Sequence, residues 1–163
     1  MIYSAQFSAD GVYRHWLKRD ELIPGSTKRG RVVFIMLNPS TADHERNDPT
    51  LTRCINFAIT WGYNNLTVVN LFDWIATKPK DLPFDKRVAS SPDNDAIIFS
   101  AARDANLVVC AWGAYPHLMG RDRKVLTDLK ELGHLPCALA LTKGGQPRHP
   151  LYLPANLRPS IYL

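Results

Sequence analysis

The stretch VVFIMLNPSTAD, residues 32–43, decides the fold of this chain. Its first six residues are apolar, with β-branched and aromatic side chains at the front, which is typical of a strand buried on both faces. The run ends at Asn38-Pro39, because proline removes a backbone donor and holds the preceding residue in an extended conformation. Small and polar side chains therefore follow the carboxyl end of a central strand. In open α/β sheets that is where ligands bind.

The rest of the chain alternates strand and helix patterns around this stretch. Three further apolar runs predict strands at residues 66–72, 107–112 and 137–141. Between the strands, apolar residues at helical spacing predict helices that begin after Asp48, after Ser91 and near residue 125. The resulting β-α-β-α-β-α-β order predicts an α/β fold, a three-layer αβα sandwich around a central four-stranded, mostly parallel sheet.

The first 30 residues have a different pattern. Apolar residues at 3–7 and 12–17 flank the turn sequence Ala9-Asp10-Gly11, which predicts an N-terminal β-hairpin. A basic loop at residues 24–30 leads from the hairpin into the first buried strand. We expect a single domain over residues 1–163, because a chain of this length can bury roughly 70% of its unfolded surface without disulfides.

Composition and charge restrict the possible partners. The 163 residues carry a net charge of +5, and residues 101–163 hold eight basic residues against four acidic ones. That balance favours nucleic acid or a phosphorylated ligand, although a mildly basic surface explains it equally well. The three cysteines lie far apart and lack metal-ligand spacing, so no metal or other cofactor is expected. Without a signal-peptide layout or a bilayer-spanning run, we expect a cytoplasmic monomer with no membrane partner.

Polar side chains follow the carboxyl ends of all four predicted strands, which lie along one edge of a parallel sheet. The loops present Asn38 with Ser40, then Asn70, then Trp112-Gly113, and finally His149. A carboxamide has a donor and an acceptor side by side, so it can pair with the edge of a nucleobase. A histidine can donate to an oxygen where negative charge develops. Together these residue types are suited to recognising a planar polar ring.

Each of these residues also has a purely structural interpretation. An asparagine before proline is a common turn former, Asn70 could cap the loop that follows it, and His149 could be an exposed loop residue. Asp43, His44 and Asp48 could be metal ligands, but their spacing matches no known pattern and Asp48 already fits as a helix cap. The shared position at four strand ends is the argument for a site.

Four of these segments, in order, resemble motifs of the uracil-DNA glycosylase superfamily. Met36-Leu37-Asn38-Pro39-Ser40 is similar to the Gly-Ile-Asn-Pro-Gly loop of mismatch-specific members, with Met36 in place of the first glycine. Val68-Val69-Asn70 resembles the strand whose asparagine reads the base. Cys110-Ala111-Trp112-Gly113-Ala114 resembles a Leu-Trp-Gly strand, and Arg148-His149-Pro150 stands at the place of a His-Pro-Ser-type loop. The resemblance covers roughly residues 31–156 and implies a glycosylase-like α/β core there.

At closer range the chain resembles DUF1643, an uncharacterised family of bacterial and phage proteins. The segments that carry this resemblance are LNPSTAD (37–43), NDPTLTRC (47–54), VVNLF (68–72), AWGA (111–114) and PRHPLYLP (147–154). That family has no established activity. The functional expectation therefore comes from the glycosylase resemblance.

The glycosylase resemblance implies a monofunctional hydrolase that removes a modified or mismatched base from DNA. Asn38 would position the water, since the loop lacks the aspartate of the fastest uracil enzymes, and His149 would stabilise charge on the leaving base. Asn70 would read the base, with Ser40 beside it and Phe72, or else Trp74, stacked on it. The implied DNA contacts are Arg121, Arg123, Lys124, Lys143, Arg148, Leu151 and Tyr152.

Two other functions stay open at this point. The same scaffold could bind modified bases or nucleotides without turnover, which the missing aspartate favours. It could also act on a free nucleoside or nucleotide, which would need a closed pocket. Binding to duplex DNA weakens steeply with salt, whereas binding of a free base does not, so salt dependence separates a DNA partner from a small ligand.

Overall fold

A computed structural model describes residues 1–162 of the chain. Within these residues, seven strands form one mixed sheet that is accompanied by four α-helices. The strands are β1 (Ile2–Phe7), β2 (Arg14–Asp20), β3 (Arg31–Met36), β4 (Asn65–Asn70), β5 (Leu107–Cys110), β6 (Cys137–Ala138) and β7 (Ser160–Ile161). The helices are α1 (Pro49–Thr60), α2 (Lys86–Ala89), α3 (Asn94–Arg103) and α4 (Arg121–Glu131). The predicted α/β class is confirmed, whereas the predicted sheet of four strands is too small.

The strand order across the sheet is β1-β2-β4-β3-β5-β6-β7. β3 pairs in parallel with β4 and β5, and β5 pairs in parallel with β6. The three additional strands run antiparallel to their neighbours: β2 pairs with β4, β1 pairs with β2, and β7 pairs with β6. The N-terminal hairpin is therefore part of the central sheet. Its second strand, Arg14–Asp20, begins and ends later than the predicted residues 12–17. Leu17 of this strand is completely buried and pairs with Val68 of β4.

The two faces of the sheet have separate cores. In β3, Val33 and Ile35 belong to the core under α3 and α4, whereas Val32 and Phe34 belong to the core under α1. All four side chains are completely buried, so the prediction of a strand covered on both faces is confirmed. Burial of each such side chain stabilises the fold by roughly 1.5–3 kcal/mol. We call the two sides the α3–α4 face and the α1 face.

Helix α1 begins where the sequence predicts. The Asp48 carboxylate accepts a hydrogen bond from the Leu51 backbone N–H at 2.7 Å, and Pro49 occupies the first helical position. Leu51, Cys54 and other apolar residues of the helix are buried against the sheet. The cap fixes the start of α1 at Pro49. This end of the helix lies beside the polar loops at the carboxyl edge of the parallel strands.

Helix α3 begins at Asn94, later than the predicted start after Ser91. The Ser91 backbone N–H and hydroxyl both donate to the completely buried Asp73 carboxylate, at 2.7 and 2.5 Å. Those bonds hold Ser91 outside the helix. The prediction was misplaced because the Asp73 partner is distant in sequence.

Strand β6 is shorter than the predicted 137–141. The chain folds back after Ala138, so that the Arg148 N–H donates to the Ala140 carbonyl and Leu141 forms an isolated bridge with Pro147. This narrow loop returns the segment before His149 toward the end of β5. The early end of the strand therefore contributes to positioning a candidate site residue.

Two further observations concern the cysteines and the membrane. Cys54 and Cys110 are completely buried, and their burial raises the pKa of both thiols well above the ordinary value. Cys137 is half-buried. No helix in the described part of the chain is long and apolar enough to cross a membrane.

Candidate functional site

A cavity of about 590 Å³ lies at the carboxyl edge of the parallel strands, beside the N-terminus of α1. Loops that follow β3, β4, β5 and β6 all contribute to its lining. Among the residues proposed from the sequence, the structure brings Asn38, Ser40, Asn70 and His149 together here, with Leu151 beside them. The volume falls in the range of cavities that bind small organic ligands.

Asn38 is held in a fixed orientation by its amide nitrogen. That nitrogen donates to the Ala76 carbonyl at 2.7 Å and to the Pro39 carbonyl at 3.0 Å. Both partners can only accept, so the amide nitrogen must face them and the side-chain oxygen must point away from them. The Ala76 backbone N–H also donates to the Pro39 carbonyl, which closes the loop. The Asn38 oxygen is thus left as an acceptor beside the cavity.

Asn70 lines the cavity at the end of β4, in register with Met36 of β3. Its side chain is 1% exposed, and neither its amide nitrogen nor its amide oxygen has a hydrogen-bond partner among residues 1–162. Leaving a buried donor or acceptor unpaired costs roughly 1–3 kcal/mol. An unpaired carboxamide in a cavity wall is therefore suited to a ligand that offers a donor and an acceptor together.

His149 enters the cavity wall at the start of a short 3-10 helix, Pro150–Tyr152. Its Nδ1 accepts a hydrogen bond from the Leu151 backbone N–H at 3.3 Å, which places the proton of the neutral ring on Nε2. His149 is exposed at the cavity wall, and its partial desolvation there lowers the pKa of the ring below its usual 6.5, against the opposing charge of Asp48. The ring is neutral at pH 7 and keeps one N–H donor.

The loop that carries His149 is fastened to the end of β5. The Trp112 indole N–H donates to the Gln146 side chain at 2.8 Å, and the Gly113 N–H donates to the Pro147 carbonyl at 2.8 Å. Gly113 has φ +77°, a left-handed conformation that disfavours any other residue. The Trp112-Gly113 motif therefore positions the histidine loop, and its indole is completely enclosed in the core.

Three of the proposed residues that do not line the cavity are held by other parts of the protein. Phe72 is completely buried in the core of the α3–α4 face, and Trp74 packs edge-on against Tyr13, so neither can stack on a ligand there. Arg121 was predicted to bind phosphate, but it is only 6% exposed. Its Nε donates to the Leu71 carbonyl and its Nη1 pairs with Asp95, contacts that hold α4 against the sheet, while its Nη2 has no partner within residues 1–162.

The other residues proposed to contact DNA surround the cavity unevenly. Arg123 and Lys143 line an adjoining groove that shares residues 114–116 with the cavity wall. Lys124 is exposed but pairs with Asp128 at 2.8 Å and with Asp95 at 3.5 Å. Arg148 is exposed beside His149, and Tyr152 is 88% exposed next to the lining residue Leu151.

Two residues of the cavity lining that sequence reasoning missed bear on its chemistry. Tyr115 lies directly after the strand-end Gly113-Ala114, and its position behind that motif is the signal that could have found it. Arg14 lies in β2, is 5% exposed and donates from Nη1 to the Ala42 carbonyl at 2.6 Å. Its Nε has no partner within residues 1–162. Burial lowers the pKa of Arg14 to about 10, so it remains charged at neutral pH.

The composition of the cavity wall limits its chemistry. Within residues 1–162, no group of three or more His, Cys, Asp or Glu side chains is arranged to hold a metal ion. Asp48 and Arg14 contribute opposite charges to the described lining, and the other polar groups there are carboxamides, hydroxyls and the imidazole. Such a wall can orient a polar ring and a water molecule.

The fold and the cavity define an α/β protein whose pocket lies at the carboxyl edge of its parallel strands. The sequence identifies the particular family. The profile of DUF1643, described as a protein of unknown function, matches residues 14–151, and the chain belongs to that family. No curated protein and no solved structure matches the chain.

Proposed function

We propose that this protein is a hydrolase of the DNA glycosylase type, which excises a modified or mismatched base from DNA. The observation that carries the proposal is the convergence of Asn38, Asn70 and His149, from three separate strand-end loops, on one cavity. The motif of each loop supplies one of these residues, and the proposed reaction requires all three at one ligand. The proposed reaction is hydrolysis of the bond between the base and the sugar C1′.

Asn70 is the proposed reader of the base. Its carboxamide is buried without a protein partner, and a nucleobase edge offers the complementary donor and acceptor. A base that fits would remove the desolvation cost of both amide atoms at once. The target nucleotide must leave the helix to reach this residue, which costs a few kcal/mol and least for a mismatched or damaged base.

Asn38 is the proposed water-positioning residue. Its amide nitrogen is committed to two carbonyls, so its oxygen can accept a hydrogen bond from water. The water oxygen attacks C1′ as the C1′–N bond breaks, and the bonding electrons leave with the base. The proton that the attacking water loses ends on the departed base, so the products are the free base and an abasic sugar. A carboxamide orients water without taking its proton, so we expect slower turnover than with a carboxylate at this position.

His149 is the proposed electrostatic stabiliser of the leaving base. Its neutral ring presents Nε2–H, because Nδ1 is occupied by the Leu151 N–H. A donor aimed at the oxygen where negative charge develops stabilises the transition state more than the ground state. Tyr115 supplies the aromatic surface of the wall in place of Phe72. Exposed Tyr152 is the proposed side chain that fills the vacated stack.

The experiment is a strand-nicking screen. Duplex and single-stranded oligonucleotides that carry uracil, hydroxymethyluracil, deaminated or alkylated bases are incubated with the protein, and abasic sites are cleaved by alkali. We expect release of at least one base, and loss of that release in Asn38→Ala. The exposed Asn156→Ala variant serves as the matched control. If no modified base is released from any strand, excision is not the function.

The second candidate function is binding of a nucleotide-like ligand without turnover. The buried Arg14 guanidinium favours it, because a neutral base alone leaves this charge without a partner. Salt dependence distinguishes the two candidates. We expect DNA binding to weaken steeply between roughly 50 and 200 mM salt if duplex DNA is the partner, and little change for a free ligand.

A further inference from the structure

Arg14 and Arg19 are two buried arginines on the same strand, β2, with very different surroundings. Arg19 is completely buried and donates four hydrogen bonds, to Lys18 and to residues of the 43–47 loop. Arg14 is 5% exposed and donates one, to the Ala42 carbonyl. The protein therefore supplies carbonyl acceptors for the guanidinium of Arg19, whereas the guanidinium of Arg14 keeps N–H donors without a partner.

The charge of Arg14 is also unpaired. Within the described residues it forms no ion pair, although Asp48 and Asp43 act on it from a greater distance. Asp48 is committed to the cap of α1 through its bond to the Leu51 N–H. Removing a charge from water costs several kcal/mol unless a partner is close. Arg14 lines the cavity, so a molecule that enters the cavity can supply the missing partner of its charge.

The N-terminus of α1 adds to the positive potential on this side of the cavity. Pro49, Thr50 and Leu51 belong to the lining, so the first turn of the 12-residue helix lies at the cavity wall. The aligned peptide dipoles give that end a partial positive charge, which favours an anion. The Asp48 carboxylate offsets part of this potential, so the unpaired guanidinium remains the principal attraction.

We propose that the ligand of this cavity carries an oxyanion, of the phosphate or carboxylate class, which binds Arg14. The inference rests on the proposed function only in taking the cavity as the ligand site; it does not require base excision. A guanidinium binds either oxyanion through parallel N–H bonds. A nucleotide phosphate and an acidic substituent on the base are the two sources of that group.

Isothermal titration of the complete protein with matched ligand pairs tests the inference. The first set pairs the four common nucleosides with their 5′-monophosphates, and the second pairs uracil with orotate, its carboxylated form. We expect the anionic member of one set to bind about tenfold or more tightly than its neutral partner. The set that shows the preference identifies the source of the oxyanion. If neither anionic ligand is preferred, the inference is wrong.

Variants assign the preference to Arg14. In Arg14→Gln we expect the affinities of the anionic and neutral ligands to become equal, with the neutral affinity unchanged. Arg14→Lys retains the charge and should keep part of the preference, and Arg158→Gln, at an exposed arginine outside the cavity lining, should keep all of it. If Arg14→Gln weakens both members of a pair equally, the residue is structural and the inference is wrong. Thermal melting confirms that each variant is folded.

The outcome is separable from that of the proposed function. An anion preference that depends on Arg14, in a protein that releases no base, supports the oxyanion subsite and rejects excision. Base release that persists in Arg14→Gln, without any anion preference, supports excision and rejects the subsite.

Discussion

Two buried asparagines meet near the end of β4, Asn70 on the strand itself and Asn94 on α3, and they differ in their hydrogen-bond partners. Asn94 is completely buried, and its amide nitrogen donates to the Asn70 and Leu71 carbonyls and to the Ser90 hydroxyl, each at 3.1 Å. Its amide oxygen has no partner, whereas in the equally buried Asn70 both the amide nitrogen and the amide oxygen lack one within residues 1–162. The first residue fastens α3 to the strand end, whereas the second faces the cavity from the opposite side of the sheet. Burial alone therefore does not separate a structural polar group from a functional one.

The same contrast holds for the surroundings of these residues. Beside Asn94, the Asp73 carboxylate accepts two hydrogen bonds from Ser91 and lies 3.0 Å from Nδ1 of His15. Beside Asn70, the cavity wall holds Arg14 with an unpaired Nε. Unpaired atoms occur on both faces, since Asn94 Oδ1 and Arg121 Nη2 also lack partners within residues 1–162, but Asn70 is unpaired at both of its amide atoms and lines the cavity. We infer that the paired Asp73 carboxylate supports stability and that the unpaired groups of the cavity wall, Asn70 and Arg14, bind a ligand.

The largest expected effect is on the free energy of unfolding, from a substitution on the α3–α4 face. Asp73→Ala removes the acceptor for both Ser91 donors and for His15 in a completely buried position. We expect a loss of about 3–5 kcal/mol in the free energy of unfolding, because the remaining groups stay buried without partners. Urea denaturation followed by circular dichroism measures it. A loss below about 1 kcal/mol would show that the network carries little stability.

The next largest effect is on the rate of base release. Asn38→Ala and His149→Ala each remove one group that acts in the proposed transition state. We expect each to raise the barrier by about 2–4 kcal/mol, the cost of one lost electrostatic donor or orienting group. Single-turnover release from the best substrate of the screen measures this. The surface variant His44→Ala is the control and should match the unmodified protein.

A smaller effect compares the two asparagines directly. Asn94→Ala leaves two backbone carbonyls without their donor, so we expect a loss of about 1–3 kcal/mol in the free energy of unfolding. Asn70→Leu replaces an unpaired buried amide by an apolar group of similar size, so we expect no loss or a small gain. Parallel urea titrations give both values. Equal losses in the two variants would contradict the distinction between them.

The smallest expected effect is a pH dependence that reports on His149. Its pKa is lowered in the folded protein, so the unfolded chain takes up the proton more readily once the pH falls below 6.5. Stability therefore decreases as the pH falls through that region, and protonation of Nδ1 removes the acceptor for the Leu151 N–H. Because the pKa of the ring in the folded protein lies below 6.5, we expect base release to stay constant down to about pH 6.5 and to decline only at lower pH, where the ring is protonated. His149→Gln should abolish the decline; a decline that persists belongs to another group.

Local patterns predicted the parts of the fold that depend on neighbours in sequence. The apolar run of β3 and the cap of α1 at Asp48 could be predicted from local sequence, because neither depends on a residue distant in the chain. The place of β2 beside β4 could not be read, because Arg14 and Arg19 make that strand look exposed while both are buried. Strand β7 has two residues and leaves no pattern of its own.

The candidate site was predicted in part for the same reason. Asn70 ends one parallel strand, and Asn38 and His149 lie in loops that follow two others, so the parallel order of those strands predicted that the three residues would lie close together. Phe72 was placed wrongly because β4 ends at Asn70, after which alternation of side chains no longer fixes the face. Arg121 was placed wrongly because nothing in the sequence marks Leu71 and Asp95 as its partners.

Base release by Asn70→Leu tests the central claim most directly. The variant should be as stable as the unmodified protein, so a lost activity cannot be ascribed to unfolding. We predict that it releases the preferred base about a hundredfold more slowly or not at all, since the base edge loses both of its hydrogen-bond partners. Release at the unmodified rate by the folded variant would show that the cavity beside Asn70 is not where the base binds.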